Sequence, residues 1–162
     1  MTAGRMVAAC SIAGSDSGGG AGIQADLKTF VELGVFGLTV VTAVTAQNTR
    51  EVRAAWPLPP EAVRTQIETV AEGFAIGAWK TGMLGNAATV RAVAESLPEG
   101  AISVIDPVMV STSGHRLLEE DAISDLVEVL MPRASVVTPN IPEAEVLAGM
   151  RIEGVEGMAA AG

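Results

Sequence analysis

The chain has 162 residues, of which 49% are hydrophobic and only 18% charged, and its net charge is −9. That length accommodates one domain with a sizeable core, and the apolar content excludes a disordered chain. The acidity argues against nucleic-acid partners, because phosphate backbones are held by clustered Lys and Arg. No apolar run reaches the roughly 20 residues that span a bilayer, so no membrane association is expected. The negative charge serves solubility and leaves room for a phosphorylated small ligand held on backbone amides.

Residues 6–13 form an apolar run closed by Gly14, which reads as a buried strand. The alternative, a signal peptide, fails on length. Only four residues separate Arg5 from Cys10, whereas a signal needs an apolar stretch of about 7–15. A cytoplasmic protein is therefore expected. Cys10 is the only cysteine, which precludes an intrachain disulfide.

A loop with five glycines, residues 14–22, follows. Glycines let a backbone approach a ligand and aim its amides. The loop is not a P-loop, since no Gly-Lys-Ser/Thr follows, nor the dinucleotide fingerprint. A flexible βα turn is the competing explanation. Ile23, Leu27, Phe30 and Val31 then recur at helical spacing until Gly34. Asp26 sits in this helix. Its carboxylate could meet free amides near the helix start or accept a hydrogen bond from a ligand.

Residues 38–45 predict a second strand, ended by Gln47, Asn48 and Thr49. An amide at Gln47 offers a donor and an acceptor, which suits a heterocycle bearing an amino group beside a ring nitrogen. A lone Gln is also an ordinary loop residue. Residues 56–60 hold three prolines and predict a connection. Val63, Ile67, Val70 and Phe74 define a helix opened by Pro60. A strand at 78–81, a helix through Val90, Val93 and Leu97, and a strand at 102–105 follow. The last ends at Asp106, a common place to hold magnesium and phosphate.

His115, the only histidine, falls in a loop with no second His or Cys to share a metal. A helix through Ile123 to Leu130, a strand at 136–137, and a helix opened by Pro142 complete the pattern. Asn140 and Glu143 could orient a hydrated magnesium ion; Glu143 could equally favour its helix dipole. The tail from Gly154 reads as a helix cut short.

Strands alternating with helices predict an α/β fold, a mostly parallel sheet covered on both faces. Ligands then bind beyond the carboxyl ends of the strands. Ser15 and Asp16, Gln47 and Asn48, Lys80 and Thr81, Asp106, and Thr138 and Asn140 all occupy such ends, and five strands are expected to converge on one rim.

Seven strings give this pattern a wider meaning. They are Gly14-Ser15-Asp16-Ser17, Gln24-Ala25-Asp26-Leu27-Lys28, Ala46-Gln47-Asn48-Thr49, Lys80-Thr81-Gly82-Met83-Leu84, Asp106-Pro107-Val108-Met109, Ser113-Gly114-His115-Arg116 and Thr138-Pro139-Asn140-Ile141-Pro142-Glu143. In this order they resemble the hydroxymethylpyrimidine and phosphomethylpyrimidine kinases of thiamine biosynthesis, a branch of the ribokinase-like superfamily. The resemblance implies a three-layer α-β-α fold of ribokinase-like type. It implies transfer of phosphate from ATP, with Mg2+, to 4-amino-5-hydroxymethyl-2-methylpyrimidine and to its monophosphate. It places Gly14, Asp26, Gln47, Met83 and Val108 in the pyrimidine pocket, and Asp106, Asn140 and Glu143 with the ATP phosphates. Asp106 and Glu143 are the expected magnesium contacts, through water.

Two departures stand out. Thr81 replaces the family's usual Ile, and His115 its common Asp. The family also continues into a Lys-Gly-Gly strand and a Gly-Thr-Gly-Cys helix start that carries its catalytic cysteine. Neither is found here, and Cys10 on the first strand cannot take that role. Residues 1–162 are thus expected to be one domain, the N-terminal substrate-binding portion truncated before the ATP and anion-hole portion, inactive by itself and prone to self-associate as a homo-oligomer through an unpaired sheet edge. A non-enzymatic pyrimidine-binding module and a fragment of a pyridoxal-type kinase are the alternatives.

Overall fold

The computed structural model describes residues 7–109, 117–119 and 121–161. Its elements run β1 (Ala8–Ser15), α1 (Gly22–Glu32), β2 (Phe36–Gln47), β3 (Val52–Pro57), α2 (Pro60–Gly73), β4 (Ile76–Thr81), α3 (Ala87–Ser96), β5 (Ser103–Ile105), α4 (Ala122–Asp125), β6 (Val136–Val137), α5 (Ile141–Ala148) and α6 (Gly154–Ala161). The helix expected through Leu130 is shorter than its periodicity suggests. After α4 the chain widens into a π-helical turn, Leu126–Leu130, and then tightens into a 3-10 turn at Met131–Arg133. Pro132 has no N–H to continue an α-helical ladder.

The sheet has the order β3-β2-β1-β4-β5-β6. All neighbours are parallel except β2 and β3, which form an antiparallel hairpin. β3 was not expected; its segment reads as a proline-rich connection. It is an edge strand with Arg53 and Trp56 exposed, so it lacks the apolar run of a buried strand. Asn48 makes the hairpin tight, because its Oδ1 accepts from the amides of Arg50 and Glu51.

Register decides what each face carries. Cys10 lies beside Trp79, Ser11 beside Lys80, and Ile12 beside Thr81. Side chains alternate along a strand, so Cys10, Ile12 and Trp79 share one face. They join Val63 and Ile67 of α2 and Val90 and Val93 of α3 in the main core. Each such aliphatic side chain stabilises the fold by about 1.5–3 kcal/mol on burial. Ser11 and Lys80 take the opposite face, under α1. The layers are thus α1 over one face and α2 with α3 over the other, the three-layer α/β/α arrangement. No helix among the described residues is long and apolar enough to cross a membrane.

From β1 the chain first moves outward to β2, then returns through α2 to β4 on β1's other side. The connections therefore diverge beside β1, which creates a crevice at the carboxyl ends of β1 and β4.

Candidate active site

That crevice is occupied by a cleft of about 740 Å³. Gly14, Asp26, Gln47, Met83, Asp106 and Val108 all line it. They come from the ends of β1, β2, β4 and β5 and from the first half of α1. The end of β6 contributes no lining residue, so four of the five expected strand ends meet here. Thr81 also turns away; it is buried in the α2/α3 face.

The glycine loop is held closed from within. The Asp16 carboxylate accepts from the amides of Gly18 at 2.8 Å and of Gly20 and Ala21 at 2.9 Å. The Gly19 amide donates to the Asp16 carbonyl. The expectation that these amides point at a ligand is thereby corrected for four consecutive residues: the Asp16 carboxylate takes three of the amides and the Asp16 carbonyl takes the fourth. The glycines are needed for close approach. A Cβ at Gly14 would meet the Met83 Cε at 2.6 Å. Gly22 has φ +57°, and a Cβ there would run into the Gly14 carbonyl. Gln24 ties the helix to the loop: its Oε1 accepts from the Asp16 amide and its Nε2 donates to the Ser15 hydroxyl. The sequence marks Gln24 only as part of a motif.

Asp26 does not serve the amides of the helix start. The Ser11 hydroxyl donates to its Oδ2 at 2.5 Å, and the Lys80 ammonium reaches the same oxygen at 3.1 Å. Lys80 also lies 3.5 Å from the Asp106 Oδ2. Asp106 has its pKa raised by burial; Lys80 opposes that shift, while the charges of Glu143 and Asp26 add to it.

Gln47 is fixed through its backbone. The Ser17 hydroxyl accepts from the Gln47 amide and donates to its carbonyl. Gln47 borders the cleft, and its side-chain Oε1 accepts from the Thr45 hydroxyl at 3.4 Å. Met83 is placed by its carbonyl, which accepts from the Thr42 hydroxyl at 2.6 Å.

Asn140 and Glu143 lie apart from the cleft lining, in a capping box on α5. Asn140 Oδ1 accepts from the Glu143 amide, and Glu143 Oε2 accepts from the Asn140 amide. The other Glu143 oxygen accepts from the amide of Met109 at 3.2 Å. Both oxygens of this buried carboxylate are therefore engaged by backbone, and its observed work is to hold the segment after Asp106 against α5. Among the described residues no cluster of three His, Cys, Asp or Glu side chains could hold a metal ion. Cys10 lies fully buried in the core, where burial pushes its pKa up to about 12. His115 lies outside the described residues.

A mostly parallel sheet covered by helices on both faces, with a glycine-loop cleft at its switch point, is the α/β arrangement in which ligands bind at the carboxyl ends of the strands. Comparison with known proteins is specific. The phosphomethylpyrimidine kinase family model matches residues 16–162. The hydroxymethylpyrimidine/phosphomethylpyrimidine kinase of Bacillus subtilis (strain 168) is 51% identical over 91% of this chain and 55% of its own length. The phosphomethylpyrimidine kinase of Clostridium difficile 630 superposes with a TM-score of 0.89 at 44% identity, covering 96% of this chain and 68% of that one. A Staphylococcus aureus pyridoxal kinase in complex with AMP-PCP and pyridoxal gives 0.82 at 36% identity, covering 98% and 57%. The chain belongs to the phosphomethylpyrimidine kinase family. It spans about half the length of the curated single-function kinases it matches.

Proposed function

We propose that this chain is the substrate-binding portion of an ATP-dependent kinase acting on 4-amino-5-hydroxymethyl-2-methylpyrimidine and its monophosphate in thiamine diphosphate biosynthesis. The observation that carries the reading is the convergence of Gly14, Asp26, Gln47, Met83 and Val108 on one cleft at the switch point of the sheet. The side-chain amide of Gln47 and the carboxylate of Asp26 supply the polar contacts that an aminopyrimidine ring needs. Met83 and Val108 supply apolar surface for its faces. Gly14 leaves the space that Met83 fills.

Asp106 stands at the phosphate end of the cleft. Magnesium, when bound with ATP, neutralises charge on the transferring phosphoryl group. Of the three residues expected near it, Asp106 fits best, since its side chain keeps 30% exposure toward the cleft. Asn140 and Glu143 serve that end by bracing the Met109 amide and the first turn of α5. The AMP-PCP complex of the pyridoxal kinase relative supports an adenine nucleotide as phosphate donor.

Calorimetric titration with hydroxymethylpyrimidine, beside pyridoxal, a Gln47→Ala control and an ATP-turnover assay, tests this. Pyrimidine binding that Gln47→Ala abolishes is the expected result. Absence of pyrimidine binding, or preference for pyridoxal, overturns it. Self-association belongs to the same reading: β6, the last strand of the described sheet, is paired on one side only and carries exposed Val136. A monodisperse monomer by light scattering at micromolar concentration would count against it.

A further inference from the structure

The sequence contains two lysines, Lys28 and Lys80. Lys28 is exposed and donates to the Gly19 carbonyl. Lys80 is unlike it. Its side chain is only 24% exposed and lies between two carboxylates from different elements, Asp26 of α1 and Asp106 after β5. Its Nζ is 3.1 and 3.3 Å from the two Asp26 oxygens. Ser11, fully buried on the neighbouring strand and in register with Lys80, donates to the same Asp26 carboxylate.

We propose that Lys80, with Ser11, is a positioning residue: the two hold the Asp26 carboxylate as a fixed hydrogen-bond acceptor at the floor of the cleft and tie it to Asp106. Three arguments support this. A carboxylate on the fifth residue of a helix has several rotamers, and one ammonium with one hydroxyl on its inner side leaves one of them. The remaining lone pairs of Asp26, which lines the cleft, are then left for a donor on a ligand to take in place of water. Two carboxylates around one ammonium also leave one net negative charge, which favours a ring bearing amino donors over one bearing only acceptors. Because Lys80 reaches Asp106 as well, the ring-binding and phosphate-facing ends are linked through one side chain. Pre-arranged groups of this kind reduce the ordering cost on binding.

This inference rests on the pyrimidine reading above, and a two-armed experiment keeps them separate. The first arm is calorimetry of the full chain with hydroxymethylpyrimidine on a double-mutant cycle of Lys80→Met and Asp26→Asn. Lys80→Met should weaken binding about tenfold or more when Asp26 is present, but less than about twofold in the Asp26→Asn background, because its effect passes through that carboxylate. Lys80→Arg should restore part of the loss. Ser11→Ala, which leaves every charge in place, should show the same background dependence with a smaller loss, and replaces Lys80→Met if that variant does not fold. Equal losses in both backgrounds, or no loss in either, overturn the proposal.

The second arm needs no ligand. In nitrogen-15 NMR of the ligand-free chain, the Lys80 ammonium should give a signal protected from solvent exchange that is lost in Asp26→Asn. Failure of the wild type to bind the pyrimidine refutes the functional reading alone, and the protected signal then still upholds the bracing. Absence of that signal in the wild type refutes the bracing whatever the ligand.

Discussion

Replacing Asp16 tests whether the glycine loop is built by its own carboxylate. Asp16 is 5% exposed, and its two oxygens receive the amides of Gly18, Gly20 and Ala21 at 2.8–2.9 Å. Hydrogen bonds to a charged group contribute about 1.5–3 kcal/mol each. The three donors belong to exposed residues, so water recovers part of that when the carboxylate is removed. Asp16→Ala should therefore cost about 2–4 kcal/mol in total, less than three full bonds. Asp16→Asn should cost about half as much, since its one oxygen can keep the Gly20 and Ala21 bonds while its NH2 faces the Gly18 amide. Urea unfolding followed by the fluorescence of buried Trp79 measures both, with an unchanged denaturant slope as the two-state check. A loss below about 0.5 kcal/mol for Asp16→Ala would refute the reasoning. The loop would then be shaped by Gln24 and its glycines, and its amides would be available to a ligand after all.

Thr81 and Thr89 have fully buried hydroxyls without a hydrogen-bond partner among the described residues. Thr81→Val, which keeps the shape and removes the hydroxyl, should stabilise the chain by about 1 kcal/mol and raise the thermal midpoint. Cys10 should resist thiol reagents at neutral pH until the chain is unfolded in urea, because it is fully buried and its pKa is about 12; rapid labelling under native conditions would contradict its place in the core. Asp106 has a raised pKa in the fold, so its contribution to stability is full at acid pH and is lost as pH rises through the folded value. Asp106→Asn should accordingly be more stable than the wild type at neutral pH, with the advantage shrinking on acidification; an advantage that grows toward acid would reverse the sign of the argument.

Much of the fold was legible because apolar periodicity and turn residues agree locally. Gly34 follows α1 and Pro60 opens α2, whereas the Asn86 cap of α3, which accepts from the Thr89 amide, is seen only in the structure. β3 was not legible, since an edge strand with one solvated face and three nearby prolines carries no apolar run. The six expected site residues that line the cleft, Gly14, Asp26, Gln47, Met83, Asp106 and Val108, each lie at or just beyond a strand end or on the helix after the glycine loop, where chain order alone points. What chain order cannot give is partnership. Asp26 and Lys80 are 54 residues apart, and nothing local in either segment names the other. They meet because Ser11 and Lys80 fall in register on one face of two parallel strands while α1 crosses above that face. A shift of one residue in the β1–β4 register would turn Lys80 toward Val63 and Ile67 and leave Asp26 without its cation. The apolar pattern that places Cys10 and Trp79 in the core is therefore also what sets the charges of the cleft, and core packing and site electrostatics are two consequences of the same register.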